Sequence, residues 1–246
     1  MRIFKKKDLV NKKEKKLNKV ISEKSFTYAP LFKKIKKHIK GQPEILDAGC
    51  GEGNISLLLA KNNSRVWGID ISKEAIVSAK KKMKMLGLQN RVTFLIEDLE
   101  RLTLNKKFDV VVCIEVLEHI KNDNQSIENL FSHLKNKGLA IITVPSKNAP
   151  LYRLKFIKKY DMEVGHLRRY DEKTLTNKLK RAGFEQIILE KTEGIFRNFL
   201  FFTSSGKLLL KFANRFLLIS KIFEKIDCLF LKMFEGAQIT AFAIKK

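Results

Sequence analysis

The stretch from Ile45 to Asn54, ILDAGCGEGN, decides the fold of this chain. It is a short apolar strand that runs into a glycine-rich loop and then into a helix. Glycines in such a loop allow a tight turn and let a ligand approach the backbone beside a helix N-terminus. The spacing is Gly-x-Gly-x-Gly, and Asn54 stands where a dinucleotide-binding loop needs its last glycine. Because Asp47 and Glu52 would also repel a pyrophosphate at this helix end, the loop favours a different ligand.

Apolar segments follow this loop at regular intervals. The segments that predict strands, most of them rich in Val, Ile and Leu, are 44–48, 66–71, 92–97, 108–115, 139–144, 185–195 and 237–244. The segments with a helical apolar period are 73–86, 123–134 and 171–182, and residues 146–170 predict an irregular loop. The alternation of strands and helices after Glu44 predicts an α/β fold with a doubly wound parallel sheet.

Acidic residues follow two further strands of this pattern. Asp70 ends the second strand, where a carboxylate can accept hydrogen bonds from both hydroxyls of a ribose. Asp98 follows the third strand, where a carboxylate can accept a hydrogen bond from an adenine amino group. A single acid at a strand end is more often an ordinary turn residue. Because ligands of doubly wound sheets bind at the carboxyl ends of the strands, Asp47, Asp70 and Asp98 together indicate one crevice.

Four successive motifs carry a family resemblance: ILDAGCGEG, WGIDIS, LIEDL and DVVVCIEVLEHI. They resemble those of class I S-adenosylmethionine-dependent methyltransferases, closely over residues 43–146 and more loosely to residue 184. Within that superfamily the chain is similar to the ubiquinone-biosynthesis O-methyltransferase-like group. The resemblance implies a Rossmann-like, seven-stranded, mostly parallel sheet whose last strand is antiparallel, and Ala237–Ile244 is the candidate for that strand.

The same resemblance implies S-adenosylmethionine as the cofactor. Asp47, Gly49 and Gly51 would line its methionine part, Asp70 would hold the ribose, and Asp98 the adenine. The remaining residues expected in the cofactor site are Gly53, Ile71, Leu99 and Glu115. A cationic sulfonium suits a crevice ringed by carboxylates, which agrees with the implied cofactor on physical grounds.

The segment after the fourth strand reads Glu115-Val116-Leu117-Glu118-His119. Its Glu-x-x-Glu-His spacing resembles a divalent metal site of the ubiquinone O-methyltransferase relatives, with Glu115, Glu118 and His119 as ligands. Carboxylates and imidazole suit a metal that orients a hydroxyl and lowers its pKa. The alternative is that Glu115 contacts the cofactor and His119 is a structural hydrogen-bonder.

His166 lies in the sequence GHLRRY, where the family builds its substrate wall. His119 and His166 are the predicted catalytic residues, and His166 could act as a general base near neutral pH. Arg168 and Arg169 could bind an anionic head group. The alternative is that His166 and Tyr170 pack this loop onto the sheet.

The formal charge of +24 is concentrated at the two ends of the chain, with +12 in residues 1–42, +1 in 43–146 and +11 in 147–246. Such basic arms attract polyanions, either nucleic acid or an anionic membrane surface, although a lysine-rich proteome explains them equally well. The excess of lysine over arginine disfavours a sequence-reading nucleic-acid protein.

The cysteines and the N-terminus bear on the compartment. Cys50, Cys113 and Cys228 form no CxxC pair, which fits a reducing compartment. The start, MRIFKKKDLV, has no apolar signal region, and no uncharged apolar stretch is long enough to span a membrane. We therefore expect a cytoplasmic protein, peripheral at the inner face of the membrane if the basic arms bind lipid.

A long apolar segment, Phe199–Phe234, precedes the last strand. From Leu209 to Met233 its apolar residues recur at alternating spacings of three and four, which predicts one continuous helical stripe. A break is expected at residues 204–206 and a bend at Ser220. The stripe either packs on the sheet or a second subunit, or lies in an anionic membrane interface.

These patterns predict four regions: a basic N-terminal helical extension at 1–42, a methyltransferase core at 43–198, an amphipathic helical insertion at 199–235, and the last strand at 236–246. The predicted function is methyl transfer to a small-molecule or lipid-like acceptor, at oxygen. The alternatives are a nucleic-acid (RNA) methyltransferase and a non-catalytic cofactor-binding protein. The former is disfavoured because no Asn/Asp-Pro-Pro-Tyr motif follows the fourth strand, where Cys113–Val116 stands instead.

Overall fold

The computed structural model describes Phe26 and residues 29–39, 41–155 and 157–246. Most of the predicted N-terminal extension lies outside the described residues. The helices are α1 (Ala29–His38), α2 (Asn54–Lys61), α3 (Lys73–Met85), α4 (Asp123–Ser132), α5 (Pro150–Arg153), α6 (Lys158–Val164), α7 (Glu172–Arg181), α8 (Ile195–Phe202), α9 (Ser204–Arg215) and α10 (Leu217–Met233). The strands are β1 (Glu44–Ala48), β2 (Arg65–Asp70), β3 (Val92–Ile96), β4 (Phe108–Ile114), β5 (Leu134–Pro145), β6 (Phe184–Thr192) and β7 (Gln238–Lys245).

The seven strands form one sheet in the order β3-β2-β1-β4-β5-β7-β6. β1 to β5 pair in parallel, whereas β7 is antiparallel to both β5 and β6. The predicted mostly parallel sheet with an antiparallel last strand is therefore confirmed. In this register Asp47 is opposite Gly68 and Asp70 is opposite Ile96, so the carboxyl ends of β1, β2 and β3 meet at one edge.

Both faces of the sheet are covered, which explains the nearly continuous apolar character of the inner strands. On one face, buried Leu46 and Val111 belong to a core with α4 and α7. On the other, Ile45, Val110 and Val112 pack with side chains of α1, α2 and α3. The sheet is thus the middle layer of three, and its carboxyl edge remains as the place for a ligand.

Polar side chains and a glycine mark the ends of two helices. The Ser72 hydroxyl accepts a hydrogen bond from the Ala75 N–H at 3.1 Å at the start of α3. Gly87, two residues after α3, has the left-handed φ of 66° that favours glycine there. The Asp171 carboxylate accepts from the Thr174 N–H at 2.7 Å and caps α7.

Three sequence predictions are wrong in detail. Residues 146–170, expected to be irregular, contain the short helices α5 and α6. The predicted continuous stripe is divided at Phe216, whose extended backbone (φ −117°, ψ 115°) separates α9 from α10. The first break lies at Thr203 rather than within 204–206, because the Thr203 hydroxyl caps α9 by accepting from the Gly206 N–H at 3.0 Å.

The insertion is fixed to the core by a buried ion pair. The Asp227 carboxylate of α10 accepts hydrogen bonds from the Gly194 and Arg197 N–H groups at 2.9 and 2.7 Å. The Arg197 guanidinium lies 3.7 Å from Asp227, donates to the Phe26 carbonyl at 2.8 Å and stacks on the Phe26 ring. Both ion-pair partners are buried, so this cluster connects α8, α10 and the segment before α1.

Candidate functional site at the carboxyl edge of the sheet

An open cleft of about 640 Å³ lies at the carboxyl ends of the parallel strands, and we call it the edge cleft. Its walls include eight of the residues that the sequence analysis assigned to a site. These are Gly49, Gly51, Asp70, Ile71, Asp98, Leu99, Glu115 and His119. Six further lining residues were not predicted: Ile69, Glu97, Glu100, Val116, Ile120 and Lys121. The structure therefore brings most of the predicted cofactor residues together.

The glycine loop forms the floor of the edge cleft. The N–H groups of Gly49 and Cys50 both donate to the Ile69 carbonyl at 2.8 Å, which holds the loop against β2. Gly49 has a φ of 73°, and a Cβ there would stand 2.3 Å from a Val116 methyl carbon. At Gly51, by contrast, no atom of the described residues, apart from Gly51 and its two chain neighbours, lies within 4 Å of the position of a Cβ. A ligand can therefore approach the backbone at Gly51.

Asp70 and Asp98 are held by backbone N–H groups. One oxygen of Asp70 accepts from the Gly51 N–H at 2.8 Å, and the other accepts from the Ser72 N–H at 2.9 Å. Asp98 accepts from the Glu100 N–H at 2.9 Å. Because an ionised carboxylate has about four acceptor positions, both groups retain acceptor capacity for ligand hydroxyl or amino groups.

Asp47 and Gly53 lie beneath the loop. The Asp47 side chain is buried and accepts a hydrogen bond from the Ser56 hydroxyl at 2.5 Å. Burial raises the pKa of Asp47 to about 6. A Cβ at Gly53 would stand 2.6 Å from the Phe94 ring, so this glycine allows close packing between the loop and β3. Both residues shape the glycine loop from below.

Glu115 follows β4 in a conformation that is rare for a residue with a side chain. Its φ is 54°, and its N–H donates to the Thr143 carbonyl at 2.9 Å. The Gln238 amide is close enough to stabilise the ionised carboxylate, yet burial and the nearby Glu118 raise the pKa of Glu115 well above its usual range. One carboxylate oxygen has no hydrogen-bond partner among the described residues. Such strain and desolvation are typical of functional positions.

Glu118, His119 and His166 form a compact group whose potential ligand atoms lie within 4.8 Å of one another. Neither carboxylate oxygen of the fully buried Glu118 has a hydrogen-bond partner among the described residues. The nearest imidazole nitrogen is Nε2 of His166, 3.9 Å away. Burial raises the pKa of Glu118 to about 7. The predicted ligands Glu118 and His119 are thus together, with His166 in the place expected for Glu115.

The position of His166 depends on Asp161, which the sequence analysis missed. The Nδ1 atom of His166 lies 3.0 Å from an Asp161 oxygen, and Arg169 binds the same carboxylate through Nε and Nη2 at 2.7 and 2.6 Å. Burial lowers the pKa of His166, which favours the neutral imidazole. No spacing rule pointed to Asp161, because residues 156–165 were expected to be irregular.

The two adjacent arginines require a correction. Arg168 donates to the carbonyls of Ile120 and Lys121 at 2.7 and 3.0 Å, and Arg169 is buried against Asp161. Both guanidinium groups are therefore used to hold the loop, and the predicted anion site at these arginines is not supported. Tyr170 is likewise structural, since its hydroxyl donates to Asp123 at 2.7 Å.

Comparisons with known proteins agree with this geometry. Residues 39–191 match the model of the methyltransferase domain family. The ubiquinone biosynthesis O-methyltransferase of Rickettsia canadensis is 37% identical over 129 residues, which are 52% of this chain and 54% of that protein. That of Rickettsia conorii is 39% identical over 114 residues, 46% of this chain and 39% of that protein. The chain thus spans about half the length of the curated relatives it matches.

A solved structure shares the fold. Phosphoethanolamine N-methyltransferase 2 of Haemonchus contortus, in complex with S-adenosyl-L-methionine, aligns with a TM-score of 0.65 and 19% identity, covering 89% of this chain and 52% of that chain. At this identity the likeness shows the fold alone. The family match covers more than half of the chain, and it coincides with the edge cleft and its glycine loop. The chain belongs to the class I S-adenosylmethionine-dependent methyltransferases.

Proposed function

We propose that this protein transfers a methyl group from S-adenosylmethionine to an oxygen atom of a small-molecule or lipid-like acceptor. The observation that carries the proposal is the edge cleft, which Gly51, Asp70 and Asp98 line together. Bound S-adenosylmethionine would supply a sulfonium methyl group: the acceptor oxygen would attack the methyl carbon in line, and the carbon–sulfur bond would break with its electron pair staying on sulfur, which leaves as S-adenosylhomocysteine. The acceptor hydroxyl must also lose its proton.

Different residues of the chain would bind the cofactor and accept the proton. Asp70 and Asp98 have acceptor capacity for ribose hydroxyls and the adenine amino group, and Gly51 leaves open space for the ligand. The acidic edge attracts a cation. His119 lines the edge cleft, and the centre of its ring lies 4.8 Å from the centre of the His166 ring. A neutral imidazole here is suited to accept the proton of the acceptor hydroxyl.

The expected reaction is tested by incubating the protein with S-adenosylmethionine labelled in its methyl group and with separate lipid, metabolite and RNA extracts. Mass spectrometry should find the label in a small or lipid-like product, and fragmentation of that product should show that the labelled methyl group is bound to oxygen. Label confined to RNA would instead favour the nucleic-acid alternative. Label in no fraction, with the cofactor bound, would favour a non-catalytic binding protein.

Asp70→Ala should weaken S-adenosylmethionine binding about tenfold to a hundredfold, because one hydrogen bond to a charged acceptor contributes about 1.5–3 kcal/mol. Isothermal titration calorimetry measures this directly. Glu128→Ala, which removes an exposed acid of α4, is the matched control and should bind like wild type. Unchanged affinity in Asp70→Ala, or tighter binding of NAD than of S-adenosylmethionine, would contradict the assignment.

As an alternative to the general-base role, since a ring nitrogen that binds a metal cannot also accept a proton, we propose that Glu118, His119 and His166 hold a divalent metal ion. The support is the buried Glu118 carboxylate without a partner, since such a group is costly unless it is protonated or paired with a cation. One carboxylate and two imidazoles suit zinc and related divalent ions. A metal there would lower the pKa of a bound hydroxyl, and Asp161 would orient His166.

For this site, Glu118→Gln should abolish Zn²⁺ binding measured by calorimetry and should leave S-adenosylmethionine affinity within about twofold, because Glu118 does not line the edge cleft. Chelator treatment should remove methyl transfer, and Mg²⁺ or Zn²⁺ should restore it. A nearby exposed acid, Glu163, provides the control variant Glu163→Gln. Full activity in chelator would leave these residues with a structural role.

A third proposal concerns the exposed apolar side chains of α9 and α10. Leu218, Leu229 and Met233 are 72%, 59% and 66% exposed, and exposed Lys221 and Lys225 lie on the same helix. None of the described helices is long and apolar enough to cross a membrane. We propose that this face lies in the interface of an anionic membrane, where apolar side chains and lysines both gain favourable contacts.

In flotation with vesicles, wild-type protein should move with anionic vesicles and much less with neutral ones. Leu218→Glu/Leu229→Glu should lose this binding. Phe223 is unsuitable for the test because its ring packs on Phe26 and Phe196. Val77→Glu/Ile188→Glu changes two comparably exposed apolar residues on α3 and β6 and is the control. Wild type and Leu218→Glu/Leu229→Glu remaining equally unbound, with both folded, would reject membrane docking.

A further inference from the structure

A second cavity, of about 390 Å³, lies between α1, the ends of β6 and β7, and α10, and we call it the side cavity. Its wall contains Lys34 of α1, Thr192 of β6, Asp227 of α10 and Gln238 of β7. Sites for small ligands commonly have volumes of about 300–1,000 Å³. The side cavity therefore has the size for a small molecule or for one end of a longer one.

The side cavity adjoins the edge cleft through two side chains. Glu115 lines the edge cleft and directly follows β4, whereas Gln238 lines the side cavity and pairs with Pro145 of β5, the strand next to β4. Gln238 is also close enough to the Glu115 carboxyl group to stabilise its charge. Glu193 lines the side cavity as well and acts electrostatically on Glu115. A molecule in the side cavity would thus lie next to the residue that borders the proposed methyl donor.

The charges of the side cavity are largely paired in its interior. Lys34 forms an ion pair with Glu190, and Arg197 with Asp227. Burial raises the pKa of Glu193, which favours its uncharged form. These groups make the interior of the side cavity polar with little net charge.

The α1 wall is different. Lys33 and Lys37 are exposed, lie one helical turn apart and have no ion-pair partner among the described residues. Glu224 of α10 is the remaining acid of the cavity wall, opposite the two lysines. Apolar contacts come from Leu31 and Leu231. The wall therefore offers two free ammonium groups beside apolar surface.

His38 gives a second, independent sign of a ligand. Its ring stacks on Phe242 with a centre distance of 4.1 Å, and its Nε2 atom is buried without a hydrogen-bond partner among the described residues. A buried imidazole nitrogen without a partner is costly, and a polar group of a bound molecule would satisfy it. His38 lines the side cavity, and because the Nε2 atom itself has almost no accessible surface, the ring would have to turn to present this nitrogen to a bound molecule.

We propose that the side cavity binds the methyl acceptor, and that the acceptor is a small amphiphilic anion whose charged group lies at Lys33 and Lys37. This inference rests on the proposed function. The hydroxyl to be methylated points toward Gln238 and Glu115, and the apolar part lies between α1 and α10. A cavity of about 390 Å³ is far too small for a folded RNA, so the inference also narrows the substrate class.

Cys228 is a reporter for occupancy of the side cavity. It lines the cavity and is exposed, whereas Cys113 is fully buried. Burial and the nearby Asp47 raise the pKa of the Cys50 thiol far above its usual range, so that thiol is unreactive. Alkylation by N-ethylmaleimide should therefore be selective for Cys228, and mass spectrometry of the intact protein measures its rate.

The probe is n-octyl phosphate, with uncharged 1-octanol as its matched control. At about ten times its dissociation constant, octyl phosphate should slow the alkylation of Cys228 about tenfold, and octanol should protect far less. Lys33→Glu/Lys37→Glu should lose the protection. Lys80→Glu/Lys84→Glu, the same charge reversal one turn apart on the exposed face of α3, should retain it. Absence of protection by octyl phosphate, or equal protection in both double variants, would overturn the proposal.

A second arm separates this inference from the proposed function. Wild-type protein alkylated at Cys228 with a bulky maleimide should keep its S-adenosylmethionine affinity and lose methyl transfer. The Cys228→Ser variant should transfer methyl groups at the same rate with and without the maleimide. Unimpaired transfer by the alkylated protein would reject the side cavity as the acceptor site and leave the function standing. Protection by octyl phosphate without any methyl transfer in untreated protein would reject the function and retain the anion site.

Discussion

Parallel pairing of β1 with β2 and β4 is the constraint on which the rest of the structure depends. It places Asp47, Asp70 and the glycine loop at the same edge, because the carboxyl ends of parallel strands point the same way. The pairing requires helical connections that cover both faces of the sheet. The edge is therefore where the chain changes from strand to helix, and where backbone N–H groups and side chains are available to a ligand.

Several acidic side chains at this edge are buried, so their ionisation costs free energy. The pKa of Asp47 in the folded protein, about 6, lies above its value in an unfolded chain, so protonated Asp47 favours folding and this contribution is lost as the pH rises toward 6. By linkage the loss is on the order of 3 kcal/mol. Glu115 and Glu118 are also desolvated. A cationic ligand or metal would recover part of this cost, which connects the instability of the edge with its proposed use.

The helical segment formed by α8, α9 and α10 has two different sides. Its inner side is fixed by Asp227 and Arg197, with Phe223 packed on Phe26, and this side forms a wall of the side cavity. Its outer side leaves large apolar side chains in contact with water, Leu218 among them. The proposed membrane interface and the proposed acceptor site would thus be on opposite sides of the same helices. A lipid-like acceptor would then have only a short distance to move from the membrane to the side cavity.

The sequence by itself determined the α/β fold, the glycine loop and most of the edge cleft, because strand periodicity and loop chemistry are local and Asp70 and Asp98 directly follow their strands. It did not determine the partners of those residues. Asp161 beside His166, Gln238 beside Glu115, and the internal use of Arg168 and Arg169 all join segments far apart in the chain or within a loop of no regular period. Only the tertiary structure decided which polar groups are satisfied by the chain and which remain for a ligand, since that depends on packing between elements rather than on spacing along the sequence.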